Sequence, residues 1–434
     1  MRTFETANLA KLATSSFLTV LADRSSQFLL LSVVVMSGPG GEGTGSSSVA
    51  LLLPVVLFGI ICGVIVDRLG SRRTIILTST APALVLLACP AIMIMTMADR
   101  LSVSIVVSVI CSFSVACSLG RFAWAPQLVQ PTHLQKANSL LWSCTTTATL
   151  IAVLAVVFMP GDFLPGKVFK ACSLIYFVGA VAAWSIKKAI NPVVSASVLP
   201  EQPGSNILTY LKRHGKTQAV ILMSIIFSVV FLLWNAILLY VVAAENYQPG
   251  GIDLHSLLEF ALGGTILGTL LAPRAAAIAK PQGLFCGTIC GVFLASLICA
   301  LANNLMIVKY ALALAGVNSG MALVAADTML QRCTPSRMRG TVAGCRDTAV
   351  AALLLVAVLA VEQSFEKVAL VNVFRGIAAG HLFLCAAVFL TWKHSRQFAI
   401  ALLTGQLFAN KTSGQNSNRR NQLEKANGGG AHVK

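Results

Sequence analysis

Apolar runs of about 20 residues alternate with short polar stretches along almost the whole chain. A run of that length crosses a bilayer as a helix. Twelve such spans are read near residues 12–36, 49–66, 74–97, 101–120, 137–158, 169–187, 218–243, 255–279, 283–301, 305–330, 341–361 and 370–392. A β-barrel would instead show short segments of alternating polarity. The polar stretches punctuate the pattern. Gly38 to Ser48 reads as a flexible Gly/Ser loop, and Asn191 to Gly215, with Pro192, Pro200 and Pro203, as a central linker. Gly405 to Lys434 is rich in Asn, Gln, Gly and Lys and reads as disordered. The expected organisation is an N-terminal six-helix half over 1–190, a cytoplasmic linker over 191–217, a C-terminal six-helix half over 218–404 and a disordered cytoplasmic tail over 405–434.

Composition agrees with the pattern. Charged residues make up only 11% of the 434 and hydrophobic ones 56%, against about 25% charged in soluble domains. The net charge of +17 does not imply nucleic acid, because the basic residues sit in short loops and the tail. Most of the 32 Lys and Arg residues fall on one side of the predicted spans. Only Arg100, Lys167, Lys170, Lys309, Lys367 and Arg375 fall on the other, and Arg24 and Arg346 lie within spans. Cytoplasmic loops retain positive charge, so both termini are expected in the cytosol. From the polar opening Met1 to Lys11 and the long run after it, which contains Asp23 and Arg24, no removable signal peptide is expected.

A repeat joins the two halves. Pro126 to Asn138 leads into span 5 and Thr328 to Gly340 into span 11, with Leu128 matching Leu330 and Thr132 matching Thr334. That position is what two parallel six-helix repeats require.

Between spans 2 and 3 the chain reads Gly63-Val-Ile-Val-Asp67-Arg68-Leu-Gly70-Ser-Arg72-Arg73. Gly63 allows close approach of a neighbouring helix, and Gly70 allows a turn with positive φ. Asp67 suits the positive N-terminal end of another helix. Arg68, Arg72 and Arg73 hold the loop inside. The six positions Gly63, Asp67, Arg68, Gly70, Arg72 and Arg73 resemble the loop 2-3 signature of the major facilitator superfamily. That resemblance implies an all-α membrane protein, twelve transmembrane helices in two pseudo-symmetric six-helix halves around a central cavity. It also implies a conformational latch at these six residues, with Arg346 and Asp347 of span 11 as gate residues able to meet Asp67 or Asp327.

Three shorter segments resemble the enterobactin-exporter and macrolide-efflux branch of that superfamily. They are Phe17 to Asp23, Ala125 to Leu140, and Thr328 to Gly344, the last chiefly at Leu330 to Arg332, Pro335 and Arg339-Gly340. The first is also similar to bacterial lysophospholipid transporters. Span 5, however, has no glycine between Ser139 and Met159, and span 4 has only Arg121, at its cytoplasmic end. These departures argue against a proton-driven multidrug mechanism.

Charges inside spans mark candidate pathways, because each is costly in hydrocarbon unless it faces a cavity or partner. Asp23 lies about 18 Å into span 1 at 1.5 Å per residue, near the midplane. Arg24 follows it, and Gln27 lies one turn on. These three, with Asn235 of span 7, are the expected substrate or ion pathway. Glu259 and Glu362 are placed near the outer surface, and His381 in packing. Cys286 and Cys290 share a helix face without further ligands, and Met93, Met95 and Met97 splay apart at i, i+2. No metal site and no cofactor are expected.

No enzyme constellation and no phosphate-binding loop are present in the sequence. The expectation is a monomeric secondary active transporter working by alternating access, in a bacterial cytoplasmic (inner) membrane or one derived from it. It would export an amphiphilic or chelating small organic molecule, with membrane lipids around it and a proton or other ion as coupling partner. The alternatives are a lysophospholipid flippase, a transporter of iron or its chelates, and a transport-dead scaffold. The topology has a direct check. Tag-accessibility mapping is expected to find Met1, Lys212 and Lys434 on the cytosolic face; a tail on the opposite face would require an odd span count.

Overall fold

The computed structural model describes residues 3–36, 44–95, 100–158, 165–187, 254–302 and 304–365, with isolated positions between 217 and 228. Asn235, Glu362's side chain, Cys286's side chain, His381, most of span 7, span 12, the linker and the tail lie outside the described residues. The chain divides into Met1–His381, which holds all described residues, and Leu382–Lys434, which holds none.

Among the described residues there are nine helices: α1 (Thr3–Met36), α2 (Thr44–Leu69), α3 (Ser71–Met95), α4 (Arg100–Leu128), α5 (Leu134–Val157), α6 (Pro165–Trp184), α7 (Leu254–Leu301), α8 (Leu305–Cys333) and α9 (Arg339–Phe365). Helix is dictated by the solvent. In hydrocarbon each backbone N–H and C=O must be satisfied within the segment. Several helices outrun their apolar runs. α1 begins nine residues before the expected span, and α2 begins inside the stretch read as a flexible loop. The i to i−4 ladder continues into the headgroup region until something breaks it. Between α2 and α3 the breaker is Gly70, with φ of 84°.

Spans 8 and 9 appear as one unbroken helical stretch, α7. Its two parts nevertheless meet the same place on α8. A Cβ on Gly268 would fall on the Val317 backbone, and one on Gly291 on the Asn318 side chain. Residues 23 positions apart on a straight helix would be separated by about 35 Å. The stretch therefore folds back on itself near 279–283, between the apolar segments Ser256–Ala279 and Gly283–Cys299.

Seven segments among the described residues are long and apolar enough to span a membrane, in α2 to α8. Their outward faces carry large exposed apolar side chains, among them Leu57, Ile61, Leu84, Leu174, Phe177 and Leu270. A water-soluble fold rarely shows so much; lipid is the solvent that suits it. α1 and α9 are less apolar because their polar residues face inward. α1 buries Ser15, Ser16, Thr19, Asp23, Ser26 and Gln27.

Three apolar clusters hold the helices. One joins α1, α3, α4 and α6 around Leu30, Leu86, Ile110 and Phe169. Another joins the same helices and α5 nearer Gly70, around Leu12, Ile75 and Leu134. The third runs from α2 and α4 to α8 and α9, through Val66, Leu119, Leu330 and Val342. Small residues let backbones touch. Gly264 and Gly268 of α7 face Ala313 and Val317, while Gly316 and Gly320 of α8 face Ala261 and Thr265. Such small-x3-small pairs serve close packing where lipid offers no hydrophobic drive. Gly268→Leu is expected to destabilise the protein by about 1–3 kcal/mol, read as a lower Tm in detergent. Gly287→Leu, where a Cβ would meet nothing within 4 Å, is expected to leave Tm unchanged.

Candidate functional site

α2 and α9 cross between the first six helices and the later ones. Gly59 and Gly63 of α2 face the backbones of Gly344 and Gly340 of α9, reciprocally. This antiparallel approach brings Asp67 to the start of α9. The carboxylate accepts from Gly340 N at 2.8 Å, from Thr341 N at 2.7 Å and from Thr341 Oγ1 at 2.7 Å. A helix start leaves its first amides unpaired and carries partial positive charge, so Asp67 caps α9 from another helix. Arg68, Gly70 and Arg73 are exposed. Arg72 Nη2 donates to Trp184 O at 2.6 Å and ties the loop to the end of α6.

The two repeated segments found in the sequence meet beside this contact. Asn138 Nδ2 donates to Thr328 Oγ1 at 2.9 Å and to Gln331 Oε1 at 2.7 Å. Gln331 Nε2 donates to Phe122 O at 2.9 Å. Ser139 Oγ donates to Thr269 O at 2.6 Å, joining α5 to α7. All these bridges lie toward the Gly70 end of the helices.

Above them is a cavity of about 600 Å³, between α1, α2, α4 and α5 on one side and α7, α8 and α9 on the other. Its volume falls in the usual range for small-molecule sites. Arg346 stands at its floor. Its Nη1 pairs with Asp327 Oδ1 at 2.5 Å and its Nε with Asp347 Oδ1 at 2.8 Å. Trp142 Nε1 donates to Asp327 Oδ2 at 2.8 Å, and the Phe122 ring lies 5.5 Å from the guanidinium. The ionic cluster of α8 and α9 is thus stitched to α4 and α5. Arg346 and Asp347 sit with Asp327; Asp67 is engaged elsewhere, at the α9 N-terminus.

Asp23 does not line the cavity. It is 3% exposed, between α1, α4 and α6. Gln27 Nε2 donates to its Oδ1 at 2.8 Å, Tyr176 OH to Oδ1 at 3.0 Å, and Ser114 Oγ to Oδ2 at 2.6 Å. Arg24 does line the cavity, and its Nη1 donates to Gln27 Oε1 at 2.8 Å. A chain of polar contacts therefore runs from the cavity through Arg24 and Gln27 to Asp23. Ser114, Tyr176, Phe122 and Trp142 were not singled out in the sequence. A lone Tyr or Ser in an apolar span gives no sign of its partner. Asn138 and Gln331 did stand inside the repeat.

The family profile for the Major Facilitator Superfamily matches residues 12–358. The chain belongs to the major facilitator superfamily. Solved members share its fold. A single-site variant of the E. coli fucose:proton symporter FucP superposes with a TM-score of 0.65 at 13% identity, covering 86% of this chain and 98% of that one. The human organic anion transporter MFSD10 gives 0.64 at 13%, covering 88% and 99%. A bacterial homologue of the iron transporter ferroportin, in an outward-facing state, gives 0.64 at 15%, covering 89% and 99%. No curated protein matches the chain. The superfamily is one of transporters, and this member is an integral multi-pass membrane protein. The enterobactin-exporter and macrolide-efflux branch is not distinguished by these matches.

The cap on α9 can be tested without a substrate. Removing a charge-assisted hydrogen-bond set costs about 1.5–3 kcal/mol, or about ten- to a hundredfold in a two-state balance. In a cysteine-free background, spin labels at Lys136 and Arg337 report the separation of α5 from the α8–α9 turn. Asp67→Asn is expected to move that distribution toward longer distances. An unchanged distribution would show that Asp67 does not hold the closed end.

Proposed function

We propose that this superfamily member is a secondary active carrier that works by alternating access and exports an amphiphilic or chelating small organic molecule. One observation carries the reading. Among the described residues, a cavity of ligand size lies between two sets of helices, and most hydrogen bonds bridging those sets lie at the Gly70 end, with Thr348 to Val55 O farther along. Motion that breaks those bridges would open the cavity there. The Gly70 end carries the basic loops, so the positive-inside bias makes it the cytoplasmic end. The structure then corresponds to an outward-facing state, the state of the ferroportin homologue's fold match.

In this reading Gly63, Asp67, Arg68, Gly70, Arg72 and Arg73 form the latch, and the Arg346–Asp327–Asp347 cluster is the inner gate. Asp23, buried yet linked to the cavity through Gln27 and Arg24, is the coupling site. Proton coupling is stated for the FucP and XylE neighbours, and Asp23, unlike Glu5 in the first turn of α1, lies at mid-helix where it could serve it here.

Counterflow in proteoliposomes tests the reading, using labelled amphiphilic acids, iron chelators and lysophospholipids. Wild type is expected to exchange at least one class saturably. Asp23→Asn is expected to abolish exchange, and Asp23→Glu to retain part of it. Pairing of Asp23 with Arg24 for folding alone predicts otherwise: Asp23→Asn would lower stability, and adding Arg24→Gln would restore both folding and exchange. Full exchange by Asp23→Asn would remove Asp23 from both roles.

A further inference from the structure

The cavity is polarised, and its polarity names a substrate class. Two arginines line it from the first six helices, Arg24 of α1 and Arg121 of α4. Each has one close partner set. Arg24 Nη1 reaches Gln27, and Arg121 Nη1 reaches Thr19 Oγ1 at 3.2 Å and Cys117 Sγ at 3.5 Å. A guanidinium has five N–H donors. Among the described residues neither arginine forms an ion pair with a carboxylate, whereas Arg346 is held by two. Asp23 is near in sequence, but its oxygens accept from Gln27, Tyr176 and Ser114 and it does not line the cavity.

The charges sum simply. Arg24, Arg121 and ionised Asp23 leave one positive charge at this wall. Arg346, Asp327 and Asp347 leave one negative charge at the floor. An anionic group is drawn to the wall and repelled from the floor, which fixes its orientation. Ser118, Thr145 and Thr149 also line the cavity, with the two threonine hydroxyls donating to Trp142 O and Thr145 O of their own helix. On the facing side, α7, α8 and α9 present Leu258, Leu262, Leu323 and Leu354 next to Thr265, Gln331 and the ionic cluster of the floor. A guanidinium desolvated in such a site binds planar oxyanions by paired hydrogen bonds.

We propose that the cavity binds an amphiphilic anion: one carboxylate or phosphate head on Arg24 and Arg121, with an apolar body against the leucines of α7, α8 and α9. This rests on the carrier reading for its biological sense, but binding itself needs no transport.

The test uses the full chain in lipid nanodiscs, with empty nanodiscs subtracted. Octanoate, octanamide and octylammonium share one tail and differ in head charge; lysophosphatidate separates a lipid anion from a free acid. Affinities are read by titration calorimetry and by protection against thermal unfolding. Octanoate is expected to bind at least tenfold more tightly than octanamide, and octylammonium weakest of the three. The Arg24→Gln, Arg121→Gln double variant is expected to reduce the octanoate-to-octanamide preference below twofold. The Arg24→Lys, Arg121→Lys variant keeps the charge and is expected to retain most of it. Lysophosphatidate binding that outranks octanoate and falls in the Gln variant would support the same site with a lipid source. Equal or better binding of octanamide or octylammonium, no binding of either anion, or a preference that survives the Gln variant would each overturn the proposal. If the Gln variant does not fold, the wild-type ranking and the Lys variant decide. Anion preference without counterflow would sink the carrier reading and keep this one. Counterflow of octylammonium would keep the carrier and sink this one.

Discussion

The structure depends on one junction, the start of α9 against α2. A helix that begins inside a protein leaves its first amides without partners, at a depth where water is scarce. Asp67 satisfies them, but only because the two backbones come close enough for a short side chain to reach. That closeness is set by glycines. Gly59 and Gly63 meet Gly344 and Gly340 with no side chain between them. A larger residue at any of the four would hold the helices apart and leave both the carboxylate and the amides bare. Packing and electrostatics are therefore one device here, each useless without the other.

The same device positions the floor of the cavity. α9 carries Arg346 and Asp347 about two turns beyond its start, so fixing the start fixes the height of the ionic cluster. Asp327 on α8 completes it, and Trp142 and Phe122 tie it to α4 and α5. Loss of register at Gly340 would move the guanidinium off its two carboxylates and leave charges unpaired in a low-dielectric setting.

Much of this was legible in the sequence, for physical reasons. Bilayer thickness imposes a length on apolar runs, and that made most helices visible. The Gly63 to Arg73 spacing marked the junction from one side, because loop chemistry is local. Its other side was not visible. Gly340 and Thr341 offer backbone amides, and an amide has no residue identity to read. The depth of Asp23 was legible from counting residues, but its direction was not. Adjacent positions point about 100° apart, so a count along the helix cannot say which of Asp23 and Arg24 faces the cavity. The fold-back of α7 was expected as a loop with Arg274 and Lys280. Instead Arg274 and Lys280 lie within the helical stretch α7. Asn235 and the last span fall outside the described residues.

Asp67 and Asp23 are both carboxylates away from bulk water, yet motion treats them differently. Asp67 bonds across the seam between α2 and α9, and in the proposed carrier cycle opening that seam would remove all its donors together. Asp23 bonds only within α1, α4 and α6, so in the proposed carrier cycle, with these helices moving together, its donors would stay with it. Its hydrogen-bonded link to the cavity runs along the Arg24–Gln27 chain, so a group bound at the arginine would be felt at Asp23. One acid is a fastener and the other a listener, and the difference lies entirely in whether the donors ride with the acceptor.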